Sequence, residues 1–210
     1  MLDAAFAADL QARADRLILA GVPGVSVASS QPESHGRHRA NVVRARITGP
    51  LGMTSADMPI SSQLDEPYAH GYPLGLGDEP VDVTGISARS IFGNGNLVST
   101  AQDVARFYGA LARGEAVSPA QLPSMLRPDP NVPDTQYGMG VWRFDDEQPP
   151  CGSFIGHDGA APGYDDTAFS DLGGTRQYAV LANSLAPGDR VGSDEAQQLF
   201  KELIVAAACN

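Results

Sequence analysis

At 210 residues, with 42% hydrophobic and 19% charged residues, the chain has the apolar content of one folded domain with a sizeable core, which excludes wholesale disorder. Its 14 Lys+Arg stand against 25 Asp+Glu, and a formal net charge of -11 repels phosphate backbones, so nucleic acid is not an expected partner. The basic residues divide unevenly: 13 are arginine and one is lysine, Lys201.

No stretch has the apolar length of a membrane span, and Met1–Gln11 carries Asp3 and Asp9 where a signal peptide needs an uninterrupted apolar core. The chain therefore reads as soluble, without an export signal. Asp3–Ala20 places Phe6, Leu10, Leu17 and Ile18 at helical spacing, closed by Gly21 and Pro23. A short strand over Gly24–Ser29 follows, then a polar loop over Ser30–Arg39 with no run of apolar residues. Asn41–Ile47 fits a short helix before Gly49-Pro50, and Leu51–Pro59 is rich in turn formers. Ser61–Ser90, polar and rich in Gly and Pro, predicts a long surface excursion with short extended pieces such as Val81–Val83.

Thr100 is an N-cap with Asp103 three residues on, and Val104, Phe107, Tyr108 and Leu111 share one helical face up to Gly114. Ser118-Pro119 signals a second helix, with Leu122, Met125 and Leu126 facing inward before Pro128. Tyr137–Phe144, Ser153–Gly156, Tyr164–Asp171 and Arg176–Asn183 read as strands of an antiparallel meander, with Gly173-Gly174 as a hairpin turn. Ser193–Ala208 predicts a long terminal helix that needs a sheet face to cover. The layout is α+β.

Five phrases in order carry a resemblance. They are Gly49-Pro50-Leu51-Gly52-Met53-Thr54, Ala69-His70-Gly71-Tyr72, the run from Gly93 to Phe107, Tyr137-Gly138-Met139-Gly140-Val141, and Gly156-His157-Asp158-Gly159 continuing to Gly163-Tyr164. Together they resemble the class C-like branch of the serine β-lactamase and D-alanyl-D-alanine carboxypeptidase family. The resemblance implies an antiparallel sheet with N- and C-terminal helices, an inserted helical lobe, and an active site between them. It also implies acyl-serine chemistry on D-Ala-D-Ala peptides, β-lactams or small esters, with no cofactor and no metal. His157, Asp158 and Gly159 fall where the family has its substrate-binding edge strand. Family members are usually extracytoplasmic or secreted.

The family's Ser-x-x-Lys supplies a nucleophile and base, and its Tyr-x-Asn assists proton transfer. Neither is present: the residue three before Lys201 is Gln198, and none of the six tyrosines has Asn two positions on. Both motifs belong between the first strand and the Pro-Leu-Gly-Met turn, so the expectation is an internal deletion joined between about Ser29 and His38. The chain then reads as a single unit over 1–210, with 1–29 and 137–210 forming a sheet lobe and 30–136 a reduced insertion. A catalytically impaired hydrolase follows, or a non-catalytic binding protein that uses the remnant cleft and self-associates through exposed cleft surface.

Cys151 and Cys209 fit no Cys-x-x-Cys pattern, and their residues alone leave pairing and two separate thiols both open. The resemblance implies a disulfide that ties the terminal helix to the sheet. Other sites have ordinary explanations. Ser153 is about 13 Å along an extended strand from His157, too far for a hydrogen bond. Ser26, Ser29 and Ser99 read as strand or cap residues, and His35 and His38 as solvated loop. Asp145-Asp146-Glu147 and Asp165-Asp166 read as turn and surface acids, and Trp142 as core or cleft wall. Adjacent strand residues point to opposite faces, which argues against Asp158 orienting His157.

Overall fold

The computed structural model describes residues 12, 39–59, 64–73, 81–85, 95–128, 130, 136–145, 151–185 and 194–209. The expected helix over Asp3–Ala20, strand over Gly24–Ser29 and join up to His38 lie outside them, Ala12 excepted.

In chain order, a helical segment begins at residue 39 and ends in the π-helical turn Arg44–Thr48. It is followed by β1 (Tyr72–Pro73), α1 (Ala101–Ala112), α2 (Leu122–Met125), β2 (Trp142–Phe144), β3 (Phe154–Ala161), β4 (Tyr164–Asp171), β5 (Gln177–Ala182), β6 (Ser184–Leu185) and α3 (Asp194–Cys209). Strands β2-β3-β4-β5 form an antiparallel sheet in sequence order, and β1 pairs in parallel with β6. The α+β layout and the meander are as the sequence pattern predicts.

Period-two alternation divides this sheet into two faces. One carries Phe154, Phe169 and Tyr178, all buried, and packs on Ala208 and Ile204 of α3 with Trp142, Phe144, Cys151, Val180 and Cys209 around them. Aromatic contacts knit this core: the Phe169 and Tyr178 rings stack at 5.9 Å, and Phe144 meets Phe169 at 5.3 Å. Cys151 and Cys209 are joined by a disulfide across a Cα–Cα distance of 5.6 Å, so α3 is covalently tied to the strand that begins at Phe154.

The opposite face is covered by α1, which packs against β4 and β5. Small residues permit the close approach. Ala168 sits directly opposite Ala179 in the register, and Gly109 of α1 lies over Gln177, whose amide would collide with any side chain at 109. The turn between β4 and β5 uses Gly174 at φ 69, and Arg113 at the end of α1 donates to its carbonyl oxygen at 2.7 Å.

At the start of α1 the Thr100 hydroxyl accepts from the Asp103 N–H at 3.3 Å, as the cap signal requires. The Asp103 carboxylate does not complete a capping box. It is buried and accepts from the Ser55 N–H at 2.8 Å, tying the helix to the turn that follows Gly49-Pro50.

Two expectations are corrected. The helix after Ser118-Pro119 starts only at Leu122, because the Ser118 carbonyl accepts from the Gln121 N–H at 2.8 Å and closes a separate turn first. None of its residues is fully buried. Within the predicted surface excursion, Val83 and Thr84 are buried, since the Val83 N–H bonds the Gly71 carbonyl at 3.0 Å and the Gly71 N–H bonds the Thr84 hydroxyl at 2.8 Å.

The same corner holds Asp82, whose carboxylate meets the His70 imidazole at 2.6 Å and accepts from the Thr84 N–H at 2.9 Å. Hydrogen bonds from the Thr84 side chain and backbone, then from His70, lower the Asp82 pKa to about 2 from an ordinary 3.8. A depressed carboxylate stabilises the fold above its unfolded value and loses that contribution as pH falls from about 4 to about 2. Replacing Asp82→Asn is therefore expected to flatten the acid limb of a urea-midpoint profile over that window; an unchanged limb would remove Asp82 from the acid response.

Candidate functional site

Strand β3 is paired unevenly along its two edges. β4 follows it from Phe154↔Asp171 to Ala161↔Tyr164, whereas β2 runs only from Phe144↔Phe154 to Trp142↔Gly156. From His157 onward the second edge of β3 has no strand partner among the described residues. The short apolar pattern of Ser153–Gly156 stops before His157, while the resemblance continues the strand through Gly159. The ladder with β4 carries it to Ala161.

His157 follows Ile155 on the face covered by α1, at the first position beyond the β2 pairing. Its Nε2 lies 3.0 Å from the Tyr137 hydroxyl, and its Nδ1 contacts the backbone carbonyl of Asp158. A carbonyl oxygen only accepts, so Nδ1 is the donor in that contact, and Nε2 faces the Tyr137 hydroxyl. Tyr137 reaches this position because it bridges to Trp142 and packs on the indole at 4.6 Å between ring centroids. The Trp142 indole N–H in turn donates to Asp158 Oδ1 at 3.0 Å.

Alternation turns the Asp158 side chain away from His157 and toward the Trp142 indole; its Oδ1 lies 3.6 Å from Nδ1, beyond hydrogen-bonding distance, so the ring is held by the Tyr137 hydroxyl and the Asp158 backbone carbonyl.

Gly159 is required by its neighbour. Asp166 stands opposite it on β4, and the Asp166 carboxylate fills the space a Cβ at 159 would need. Burial, then the nearby Asp158 charge, raises the Asp166 pKa above its ordinary value, with His157 acting the other way. Tyr108 arrives from α1. Burial first, then Asp166, Asp158 and Tyr137, pushes its phenol far above the usual range, so it stays neutral.

The sequence names His157, Asp158 and Gly159 as candidates; the structure adds Tyr137, bonded to His157, and Asp166, opposite Gly159, as their neighbours. Tyr137 was visible only as part of a motif, and nothing in a separation of 20 residues announces its bond to His157. Asp166 read as a surface acid because the Asp165-Asp166 pair has no local sign of burial.

Other candidates lie elsewhere. Lys201 is exposed on α3, the helix that packs on the sheet face opposite His157. Asp145 is engaged by Arg143 at 2.9 Å, and Asn96 of the glycine-rich run is buried and bonds the Pro59 carbonyl at 3.1 Å. Ser26, Ser29, His35, His38, Asp146 and Glu147 lie outside the described residues. Among the described residues, no group of three or more His, Cys, Asp or Glu is arranged to hold a metal ion, and no helix is long and apolar enough to cross a membrane.

The Beta-lactamase family model matches residues 29–201, most of the chain. The chain belongs to the Beta-lactamase family. Solved structures of the same fold include the D-stereospecific amidohydrolase from Streptomyces sp., at 24% identity and a TM-score of 0.59 over 77% of this chain and 47% of that one. The D-amino acid amidase from Ochrobactrum anthropi SV3, complexed with L-phenylalanine amide, matches at 22% identity and 0.56, over 80% and 50%. The penicillin binding protein from Bacillus halodurans matches at 20% and 0.60, over 78% and 49%. This Beta-lactamase family chain spans about half the length of these structures.

Proposed function

We propose that the chain is a catalytically impaired β-lactamase-related serine hydrolase that keeps the substrate-binding strand His157-Asp158-Gly159 and lacks the acylation machinery. Its ligands are D-Ala-D-Ala-type peptides, β-lactams or small esters laid along the edge of β3 that no described strand pairs. The observation that carries this reading is a β3 edge that has no strand partner among the described residues, beside a histidine whose two ring nitrogens are both occupied, by Tyr137 and by Asp158. Such an edge offers backbone donors and acceptors to an extended acyl ligand. The sequence has no Ser-x-x-Lys, and its one lysine sits on a helix across the sheet. Binding without an activated nucleophile leaves only a small residual rate.

In domain terms the chain is one unit over 1–210, with sheet lobe 1–29 and 137–210 and a reduced insertion at 30–136. Support comes from α1, an insertion helix that shares a packed face with β4 and β5.

Intact-mass analysis after exposure to a fluorescent penicillin is expected to show no covalent adduct, while the His157 imidazole resonances shift on titration with a D-Ala-D-Ala peptide. A stoichiometric adduct would overturn the impairment and name a nucleophile by its labelled residue. Unshifted resonances would overturn the binding strand.

A second reading, a non-catalytic interaction protein that uses the cleft remnant as a contact surface, is favoured by Met139, which stands 65% exposed two residues from Tyr137. A monodisperse monomer across sedimentation concentrations removes it.

A further inference from the structure

The short helix α2 leaves apolar side chains without a cover. Leu122 and Leu126, which the sequence pattern turns inward, are only half-buried, because beside them and Pro119 lies an open groove of about 530 Å³ between α2, the C-terminal end of α1 and β2. That is the size of an ordinary small-molecule site, about 300–1,000 Å³. Its charged lining is three arginines, Arg113, Arg127 and Arg143, in a chain whose net charge is -11. Their donors are not equally spent. All three nitrogens of Arg113 are engaged, with Glu115 and the Gly174 carbonyl. Arg143 gives only its Nε to Asp145, at 2.9 and 3.1 Å to the two carboxylate oxygens, which leaves both Nη groups. Arg127 makes no side-chain bond among the described residues. A guanidinium presents its N–H groups as a planar fork that matches a carboxylate.

We propose that this groove binds an amphiphilic carboxylate: a small molecule with an apolar or aromatic body and one anionic head. The body lies on Pro119, Leu122 and Leu126, and the head accepts from Arg127 and from the Nη groups of Arg143. Complementarity of both kinds selects this class. A neutral apolar ligand leaves two guanidiniums unanswered, and a small inorganic anion leaves the leucines exposed to water. None of the groove's residues belongs to the His157-Asp158-Gly159 strand, so the inference does not rest on β3 as a binding edge. Asp129, Asp146 and Glu147 stand close to these arginines in sequence and lie outside the described residues; with those acids already on the guanidiniums, the preference for a carboxylate would vanish.

The probes are naphthoate and its neutral amide, naphthamide, titrated into the full chain at about pH 7 and low salt while the backbone amide resonances are followed. Naphthoate is expected to bind about tenfold more tightly, with its largest shifts at Ala112, Leu122 and Leu126, and the preference is expected to shrink at ~0.5 M salt. Arg127→Gln removes most of the preference with the naphthamide affinity unchanged, and Arg143→Gln removes part of it. Arg106→Gln, which changes the net charge equally on a part of α1 outside the groove, removes none. Equal binding of the two probes overturns the carboxylate selection and assigns the guanidiniums to the chain's own acids. Binding of neither overturns the groove as a site, and shifts confined to His157 and Asp158 move the ligand to β3 and overturn it as well. A preference that survives both groove substitutions overturns the role of the two arginines.

Discussion

Breaking the Cys151–Cys209 disulfide by Cys151→Ser is expected to lower the thermal midpoint by roughly 10 °C. The bond closes a loop of sequence separation 58, which in a chain-entropy description constrains the unfolded state by about 4 kcal/mol. For a chain of this size each kcal/mol moves the midpoint by about 2–4 °C. Both sulfurs lie against the Phe154–Phe169–Tyr178 core, so the bridge also holds α3 on the sheet after the loop has closed. Differential scanning calorimetry with and without reductant checks it. A shift below about 2 °C in both the mutant and the reduced protein would show that α3 is held by packing alone.

The parts of the fold legible in the sequence are those written by local chemistry. Tyr164–Asp171 was read at its observed limits because its alternation is bounded by Gly163 and by the Gly173-Gly174 turn. The terminal helix was read to within one residue at each end because apolar residues recur along a single face. Thr100 announced α1, and the helix ends before Gly114, which adopts φ 74. Where local chemistry and tertiary pairing disagree, tertiary pairing prevailed. Residues 157–161 have poor strand propensity and are extended because β4 lies alongside, and Val83 and Thr84 leave the surface because Gly71 and Tyr164 bind them.

The candidate site shows the same division. The His-x-Gly text places the strand through its resemblance, but the neighbours of the imidazole come from other elements: Tyr137 from the loop before β2 and Asp166 from β4. Each contact crosses the sheet register, and a single sequence does not print its register. Asp158 keeps to the alternation of an extended strand: its carboxylate leaves the His157 face and accepts from the Trp142 indole N–H.

Phe154→Ala is the substitution expected to cost the fold most through packing, about 3–5 kcal/mol. The ring is fully buried, meets Tyr178 edge-on at 5.9 Å, and lies under the Arg176 guanidinium at 5.4 Å. Removing it opens a cavity between sheet and α3 and withdraws the surface that positions Arg176, whose Nη2 donates to the Cys151 carbonyl at 3.0 Å. The core and the disulfide therefore share one set of contacts, and their losses are coupled. A domain in the middle of the usual stability range, about 10 kcal/mol, stays folded after either loss, with a urea midpoint lowered by roughly 1–2 M. Urea melts of Phe154→Ala, oxidised and reduced, separate the terms: reduction is expected to cost the variant less than it costs the wild-type chain, since the bridge then anchors a helix that has already lost its deepest contact. Equal costs in the two backgrounds would mean that bridge and core act independently, and that Arg176 carries nothing between them.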